Sequence, residues 1–106
     1  MLTPADIAEH GQHHVEAYLS STGYHCNTQK SHHGGIDIEA RGEEENLLVH
    51  VMTAIAPHEV PALSELDKGR IISKAMMLGY DSWLAKVLID QDGELAGEIQ
   101  WEQLNH

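Results

Sequence analysis

The 106-residue sequence predicts an α/β domain in which a mixed central sheet of about five strands is flanked by helices. Two segments carry apolar residues at helical spacing, and five carry the alternating or continuous apolar pattern of strands. Their order is helix, three strands, helix, two strands. A chain of this length with 42% hydrophobic residues has room for one core, and no repeat or linker divides it. We therefore expect residues 1–106 to form a single domain.

Both helices are predicted from their end signals. The first runs from the cap residue Thr3, which is followed by proline and an acidic residue, to about Ser21. The second follows the cap residue Ser64 and continues to about Leu78, where Gly79 supplies the C-cap. Each segment carries apolar residues on one side, so each helix is expected to pack one face on the sheet.

The predicted strands are residues 24–30, 36–41, 46–54, 83–90 and 94–101. The third of them is apolar at Leu47, Leu48, Val49 and Val51, a nearly continuous run that indicates burial on both faces. We therefore expect it to be a central strand. The last two strands are predicted to form a hairpin around the turn at 91–93.

Charge and composition exclude several classes of protein. The chain has 17 acidic and 6 basic residues and a formal net charge of -11, a sign that disfavours tight nonspecific binding of DNA or RNA. No apolar run is long enough to span a membrane, and the N-terminal residues lack the pattern of a signal peptide. The single Cys26 excludes an internal disulfide and a cysteine-based zinc cluster. We expect a cytoplasmic protein.

Polar residues that could take part in catalysis or metal binding lie on two consecutive strands. The period of two places Asp37 and Glu39 on one face of the first, and His50 and Met52 on one face of the second. Magnesium-dependent phosphodiester hydrolysis needs oxygen ligands for the metal and a cation near the phosphate, and adjacent strands supply both rigidly. This pair of strands is therefore the first place to look for a site.

Four segments together carry a resemblance to a known family. Residues 34–40, GGIDIEA, resemble a Gly-Glu-Ile-Asp-Leu-Ile-Ala strand, and residues 49–53, VHVMT, fall where the family has Val-Glu-Val-Lys followed by Arg or Thr. Residues 11–24 and 68–75 resemble its two helices. The chain thus resembles the PD-(D/E)XK, or restriction-endonuclease-like, superfamily, and within it the YraN-like proteins and the archaeal Holliday-junction resolvases. The resemblance implies a nuclease fold and metal-dependent cleavage of nucleic acid.

The departures from the family pattern fall on its catalytic positions. Gln12 stands for a glutamate, Gly35 for an acid, His50 for the third-strand glutamate and Met52 for the catalytic lysine, whereas Asp37 is retained. These changes remove a hard anionic metal ligand and the cation that stabilises developing phosphate charge. The leading hypothesis is accordingly a catalytically degenerate, noncatalytic binding or regulatory protein of bacterial cytoplasm, without a cofactor. Its expected partner is a protein or a second copy of the chain.

The competing hypothesis is a metal-dependent DNA or RNA endonuclease with a rearranged site. Its catalytic residues would be Asp37, His50 and Lys68, with Mn²⁺ or Mg²⁺ held by Asp37, Glu39 and His50. An imidazole in the ligand set would favour manganese, iron or zinc over magnesium. In the alternative interpretation, Asp37 binds backbone amides and His50 is a satisfied core histidine. Lys68, Arg70 and Lys74 would then belong to a solvated face with ion pairs.

A weaker hypothesis is a histidine-rich metal-binding module, since the chain has nine histidines. His10 and His14 are one helical turn apart, a spacing at which two imidazoles can share an ion. Helical spacing predicts that His14 faces the apolar stripe, whereas His10 and His13 point away from it. The 32–33 histidine pair lies in a glycine-flanked turn and is expected to be solvated.

Overall fold

The computed structural model describes residues 2–30 and 36–105. Its elements are α1 (Pro4–Ser21), β1 (His25–Lys30), β2 (Ile36–Arg41), β3 (Asn46–Ile55), α2 (Glu65–Leu78), β4 (Asp81–Ile89) and β5 (Gln100–Gln103). This is the order predicted from the sequence. The turn that holds the 32–33 histidine pair and Gly35 lies outside the described residues. Neither helix in the described part of the chain has the length and apolar character needed to span a bilayer.

The five strands form one mixed sheet in the order β1-β2-β3-β4-β5. All neighbouring pairs are antiparallel except β3 and β4, which are parallel because α2 connects them as a crossover helix. β3 occupies the middle of the sheet, and the side chains of Leu47, Leu48, Val49 and Val51 are buried. The predicted central strand is therefore confirmed.

The helix ends form as their cap residues dictate. The Thr3 hydroxyl accepts a hydrogen bond from the Asp6 backbone N–H (3.1 Å), and the Asp6 carboxylate accepts one from the Thr3 backbone N–H (3.0 Å). This capping box satisfies N–H groups that the helix leaves free. At α2, Ser64 caps the first turn through the Asp67 N–H (3.1 Å), and Gly79 ends the helix in the left-handed conformation with φ +75°.

One face of the sheet packs against α1 and holds the larger core. Its buried residues are Val15, Leu19, Ile36, Ile38, Ala40, Leu47, Val49, Val51, Ala85, Val87 and Ile89. The helix approaches β3 closely at Gly11, where an added Cβ atom would lie only 1.7 Å from Thr53 Oγ1. Glycine is therefore required at this position by contact between backbone and strand rather than by helix formation.

The opposite face packs against α2 and holds a smaller core. Its buried members are Leu48, Ile71, Ala75, Leu84 and Leu104, with Met52, Leu63, Ile72 and Tyr80 partly buried around them. Because β-strand side chains alternate, Asp37, His50 and Lys86 belong to this same face. The polar residues of β2 and β3 thus lie on the less completely covered side of the sheet.

The last strand begins later than predicted, at Gln100 rather than at residue 94. The Asp90 carboxylate accepts hydrogen bonds from the backbone N–H groups of Asp92 (2.8 Å) and Glu94 (3.0 Å), which stabilises the turn after β4. Only an isolated bridge between Ile89 and Leu95 follows. Gly97, with φ +113°, then interrupts the extended conformation before β5 starts.

Candidate functional site

The site begins with a side-chain pair across β2 and β3. The antiparallel register places Asp37 directly opposite His50, and Asp37 Oδ1 lies 2.8 Å from His50 Nδ1. Both side chains are 14% exposed. Since an ionised carboxylate only accepts hydrogen bonds, His50 donates through Nδ1–H, and its Nε2 is the ring nitrogen left for other contacts. His50 is therefore held by Asp37, as a core histidine would be, but at the edge of solvent.

A lysine lies on the other side of the same carboxylate. Lys74 Nζ is 3.7 Å from Asp37 Oδ2 and donates a hydrogen bond to Gln29 Oε1 (3.3 Å). Lys74 reaches over from α2, whereas Gln29 belongs to β1, so three elements meet at Asp37. The two oxygens of this carboxylate consequently face an imidazole N–H and an ammonium group. Hydrogen bonds to backbone amides, expected in one interpretation of the sequence, are not needed to satisfy it.

The lysine beside Asp37 is Lys74 rather than the expected Lys68. Asp67, Arg70 and Lys74 recur three and four residues apart on one face of α2, and this face lines the site. Lys68 is not among the lining residues. It lies one helical stripe away, seven residues before the buried Ala75. The rotation of α2 over the sheet decides which of the two lysines lies beside Asp37.

Glu39 shares a face with Asp37 but takes a different neighbour. It is buried, at 7% exposure, and lies opposite Leu48 and Asn27 in the sheet register. Within residues 2–30 and 36–105, no three His, Cys, Asp or Glu side chains stand close enough together to hold a metal ion. The Asp37–His50 pair is therefore formed without the third ligand that the sequence hypothesis assigned to Glu39.

The residues that depart from the family pattern make other contacts. Met52 packs against the α2-side core, and Gln12 Nε2 donates a hydrogen bond to Glu16 on the same helix (3.3 Å). Lys86, which was not predicted as a site residue, lies beside Met52 in the parallel register of β3 and β4. The period of two along β4, which puts Lys86 on the same face as the buried Leu84, is the signal that could have identified it. Lys86 is on the site face of the sheet but does not line the cleft described next.

An open cleft of about 1330 Å³ separates α2 and the loop before it from β2, β3 and the start of α1. Its charged and imidazole residues are Asp37, His50, Glu65, Asp67, Arg70 and Lys74. Apolar residues from every wall accompany them, including Ile7, Met52, Leu63, Leu66 and Met77. The Asp37–His50 pair is thus one polar patch in a cleft that is otherwise rich in apolar side chains.

Asp67 is the second paired carboxylate of the cleft. The pKa of Asp67 is lowered from its ordinary value, first by the hydrogen bond with Ser64, then by the hydrogen bond with Arg70. The positive charge on Arg70, and that on His50 when it is protonated, favour the ionised form further. The two basic residues of this α2 face, Arg70 and Lys74, each have an acidic neighbour.

The helical histidines contact a turn instead of sharing an ion. His14 Nε2 lies 2.7 Å from the carbonyl oxygen of Gly93, to which it donates when that nitrogen carries the proton. The His10 ring lies against the same glycine, since an added Cβ atom would come within 2.4–2.7 Å of three ring atoms. The turn after β4 folds over this part of α1, a long-range contact that helical spacing does not predict. Both rings lie against the turn, so the metal-module hypothesis keeps only the helical spacing of these histidines in its favour.

Comparison with known proteins identifies the architecture. No protein-family model matches the sequence, and no curated protein matches it. The chain is similar to the solved structure of Hjc, a Holliday junction resolvase from the archaeal hyperthermophile Archaeoglobus fulgidus, over 92% of its own length and 72% of that protein, with a TM-score of 0.72. The fold is restriction-endonuclease-like. The fold predicted from the sequence resemblance is thus confirmed, and the 15% sequence identity restricts this likeness to the fold.

Proposed function

We propose that this restriction-endonuclease-like protein is catalytically degenerate and serves a noncatalytic binding role. The observation that carries the proposal is the state of the Asp37 carboxylate. One oxygen accepts a hydrogen bond from His50 at 2.8 Å, and the other faces the Lys74 ammonium at 3.7 Å. An imidazole nitrogen and an ammonium group occupy the surroundings in which a metal-dependent nuclease would need free carboxylate oxygens. Opposite Asp37, where the family resemblance implies an acid, this chain has His50.

The donor set does not fit a hard divalent cation. Magnesium is bound through oxygen ligands, whereas the pair offers one carboxylate already engaged and one imidazole whose Nδ1 is directed at it. Met52 stands where the family pattern has its catalytic lysine, and the uncharged Met52 side chain cannot stabilise charge on a phosphate. By analogy with single electrostatic groups elsewhere, each loss would cost about 3 kcal/mol of transition-state stabilisation. Two such losses reduce the rate by about 10⁴-fold.

The proposed partner is a protein, either a different one or a second copy of the chain. The formal net charge of -11 opposes a polyanion, and the basic residues that line the cleft, Arg70 and Lys74, are matched by Asp67 and Asp37. Few cationic groups therefore remain to follow a phosphate backbone. The cytoplasmic location expected from the sequence is part of this proposal.

A second candidate is favoured by Lys74. An ammonium group 3.7 Å from Asp37 Oδ2 lies near the retained acid, where a rearranged nuclease would need its cation. In that case Asp37, His50 and Lys74 would form the active site, with Lys74 in the role that the sequence hypothesis gave to Lys68. The expected cofactors would be Mn²⁺ or Mg²⁺, for which the engaged carboxylate is a poor ligand.

One assay separates the two candidates. Purified protein and an identically prepared Asp37→Ala variant are incubated with labelled single-stranded, double-stranded and four-way-junction DNA, and with RNA, in Mg²⁺ and in Mn²⁺. We expect the same background cleavage from both proteins on every substrate. Cleavage by the wild type that disappears in Asp37→Ala would overturn the noncatalytic proposal. Loss of the same activity in Lys74→Ala would then assign the rearranged site.

A further inference from the structure

We propose that the cleft between α2 and the sheet binds a basic, amphipathic helical segment of a partner protein. This inference rests on the proposed noncatalytic function and names the class of partner. Helices lay one apolar face into a groove through residues spaced three, four and seven positions apart, while their polar face remains at the rim. Both the shape and the charge of this cleft suit such a ligand.

The first observation is a pair of exposed apolar side chains on the wall formed by α2. Leu66 and Met77 line the cleft, yet they are 74% and 89% exposed. They are eleven residues apart, which is three helical turns, and therefore lie on one stripe of the helix. Large apolar side chains exposed beside a concave surface are typical of binding grooves. The opposite walls present Ile7 and Met52 to the same space, and Leu63 joins them from the loop before α2.

The second observation is the adaptability of this lining. Methionine is unbranched, and its polarizable thioether packs against many shapes of apolar ligand. Met52 on the sheet and Met77 on the helix face the cleft from opposite sides. At about 1330 Å³, the cleft has room for several side chains of a peptide rather than for a single anchor.

Charge selects a basic ligand over the alternatives. The lining contains three acids, Asp37, Glu65 and Asp67, against the two bases Arg70 and Lys74, so its charge does not favour an anion. Around it lies a protein of net charge -11. Such a field raises the rate of encounter with a cationic segment and repels both nucleic acid and a second copy of the chain. A basic partner segment is the occupant that satisfies both the apolar lining and the acidic surroundings.

Adjacent methionines provide a matched test. Met76 and Met77 are both on α2 and are 71% and 89% exposed, but only Met77 lines the cleft. Replacing either methionine by lysine adds one positive charge at an exposed position of α2. The two variants therefore differ only in whether the new side chain faces the cleft. A surface effect of charge changes both variants equally, whereas occupation of the cleft distinguishes them.

The probe is a fluorescein-labelled 18-residue peptide of leucine and lysine arranged to form an amphipathic helix. A shuffled peptide of the same composition, and a leucine–glutamate peptide with the helical arrangement, are the controls. Binding to the full chain is followed by fluorescence anisotropy in about 150 mM salt, where weak surface electrostatics is screened. Circular dichroism of every variant verifies that it folds as the wild type does.

We expect saturable binding of the amphipathic basic peptide, with Kd raised at least about tenfold in Met77→Lys and changed less than about twofold in Met76→Lys. The shuffled and acidic peptides should bind at least about tenfold more weakly. Equal weakening by Met76→Lys and Met77→Lys, equal binding of the shuffled peptide, or absence of binding would each overturn the proposal.

Two further readouts separate this proposal from its alternatives. Light scattering of the protein alone is expected to give the mass of one chain. A doubled mass that is lost in Met77→Lys and kept in Met76→Lys would assign the cleft to a second copy and overturn the peptide proposal. The nuclease assay is independent of the peptide: cleavage lost in Asp37→Ala overturns the noncatalytic function, whereas failed peptide binding without cleavage overturns only the occupant.

Discussion

The two faces of the central sheet differ in how completely they are covered. On the α1 side, Ile38, Val49 and Val87 are fully buried and form part of a continuous core. On the α2 side, the buried cluster is smaller, and the Asp37–His50 pair lies beside an open cleft. The same strands therefore supply a closed apolar layer in one direction and a polar, solvent-accessible layer in the other.

This difference shows how the fold separates stability from binding. A closed core on one side supplies much of the apolar burial that folding requires. The opposite side can then keep partly exposed polar groups and large apolar side chains without losing the fold. In this architecture, residues such as His50 and Met52 can be replaced while the α1-side core is preserved. Three predictions test this comparison.

The largest expected effect comes from matched truncations on the two faces. Ile38→Ala on the α1 side should lower the free energy of unfolding by about 3–4 kcal/mol, because it opens a cavity in a fully enclosed core. Ile71→Ala on the α2 side should cost about 1–2 kcal/mol less, because Ile71 borders the cleft and its neighbours can relax. Urea unfolding of both variants measures the difference. Equal costs would show that the two faces contribute equally.

A smaller effect is expected at the contact between α1 and β3. Gly11→Ala should destabilise the protein by about 2–3 kcal/mol, although alanine is the better helix former by about 1 kcal/mol. The added Cβ atom would collide with Thr53 Oγ1, which lies 1.7 Å from its position. Thermal unfolding measures the change. This prediction tests how closely α1 packs on its face of the sheet.

The control is a double-mutant cycle with Thr53→Ala. Thr53 Oγ1 is buried without a hydrogen-bond partner in the described part of the chain, so its removal alone should cost little. Together the two substitutions should recover part of the stability lost in Gly11→Ala, because the Thr53 Cβ atom, 2.8 Å from the added Cβ atom, remains in alanine. A purely additive cycle would show that the close approach is not the cause of the loss.

The smallest effect is expected at the N-terminal end of α2. The pKa of Asp67 is lowered from its ordinary value of 3.8 by Ser64 and Arg70, so the folded state holds this proton less tightly than the unfolded state. Its contribution to stability is therefore present above pH 3.8 and is lost as the pH falls through the lower folded pKa. The difference in Tm between wild type and Asp67→Asn should shrink over that interval. A difference that persists below it would assign the effect to packing.

Local pattern was sufficient to predict the order of the elements and the placement of Asp37 and His50 on adjacent strands. The four-residue turn at 42–45 brings Arg41 opposite Asn46, and the antiparallel register then fixes every pair beyond it. The capped helix from Glu65 to Leu78 was also predicted from the sequence, because its end signals are local. What the pattern could not supply was the distance from either lysine to Asp37, since that depends on how α2 is rotated over the sheet.

The histidines illustrate the same limit from another direction. His10 and His14 are spaced as metal ligands in the sequence, yet both contact Gly93, which is about eighty residues away in the chain. No periodicity within α1 contains that information. Likewise, the late start of β5 follows from the hydrogen bonds of Asp90 and the positive φ of Gly97. Each difference arises where a long-range contact or a turn overrides a local preference.

By itself, the sequence determined the restriction-endonuclease-like arrangement of elements and the faces on which residues lie. Those features depend on periodicity, cap residues and residue identity, which are encoded locally. Only the tertiary structure decided that Lys74 rather than Lys68 approaches Asp37, that Met77 but not Met76 lines the cleft, and that two histidines contact a turn. These depend on the rotation and docking of whole elements, which packing of the entire chain selects.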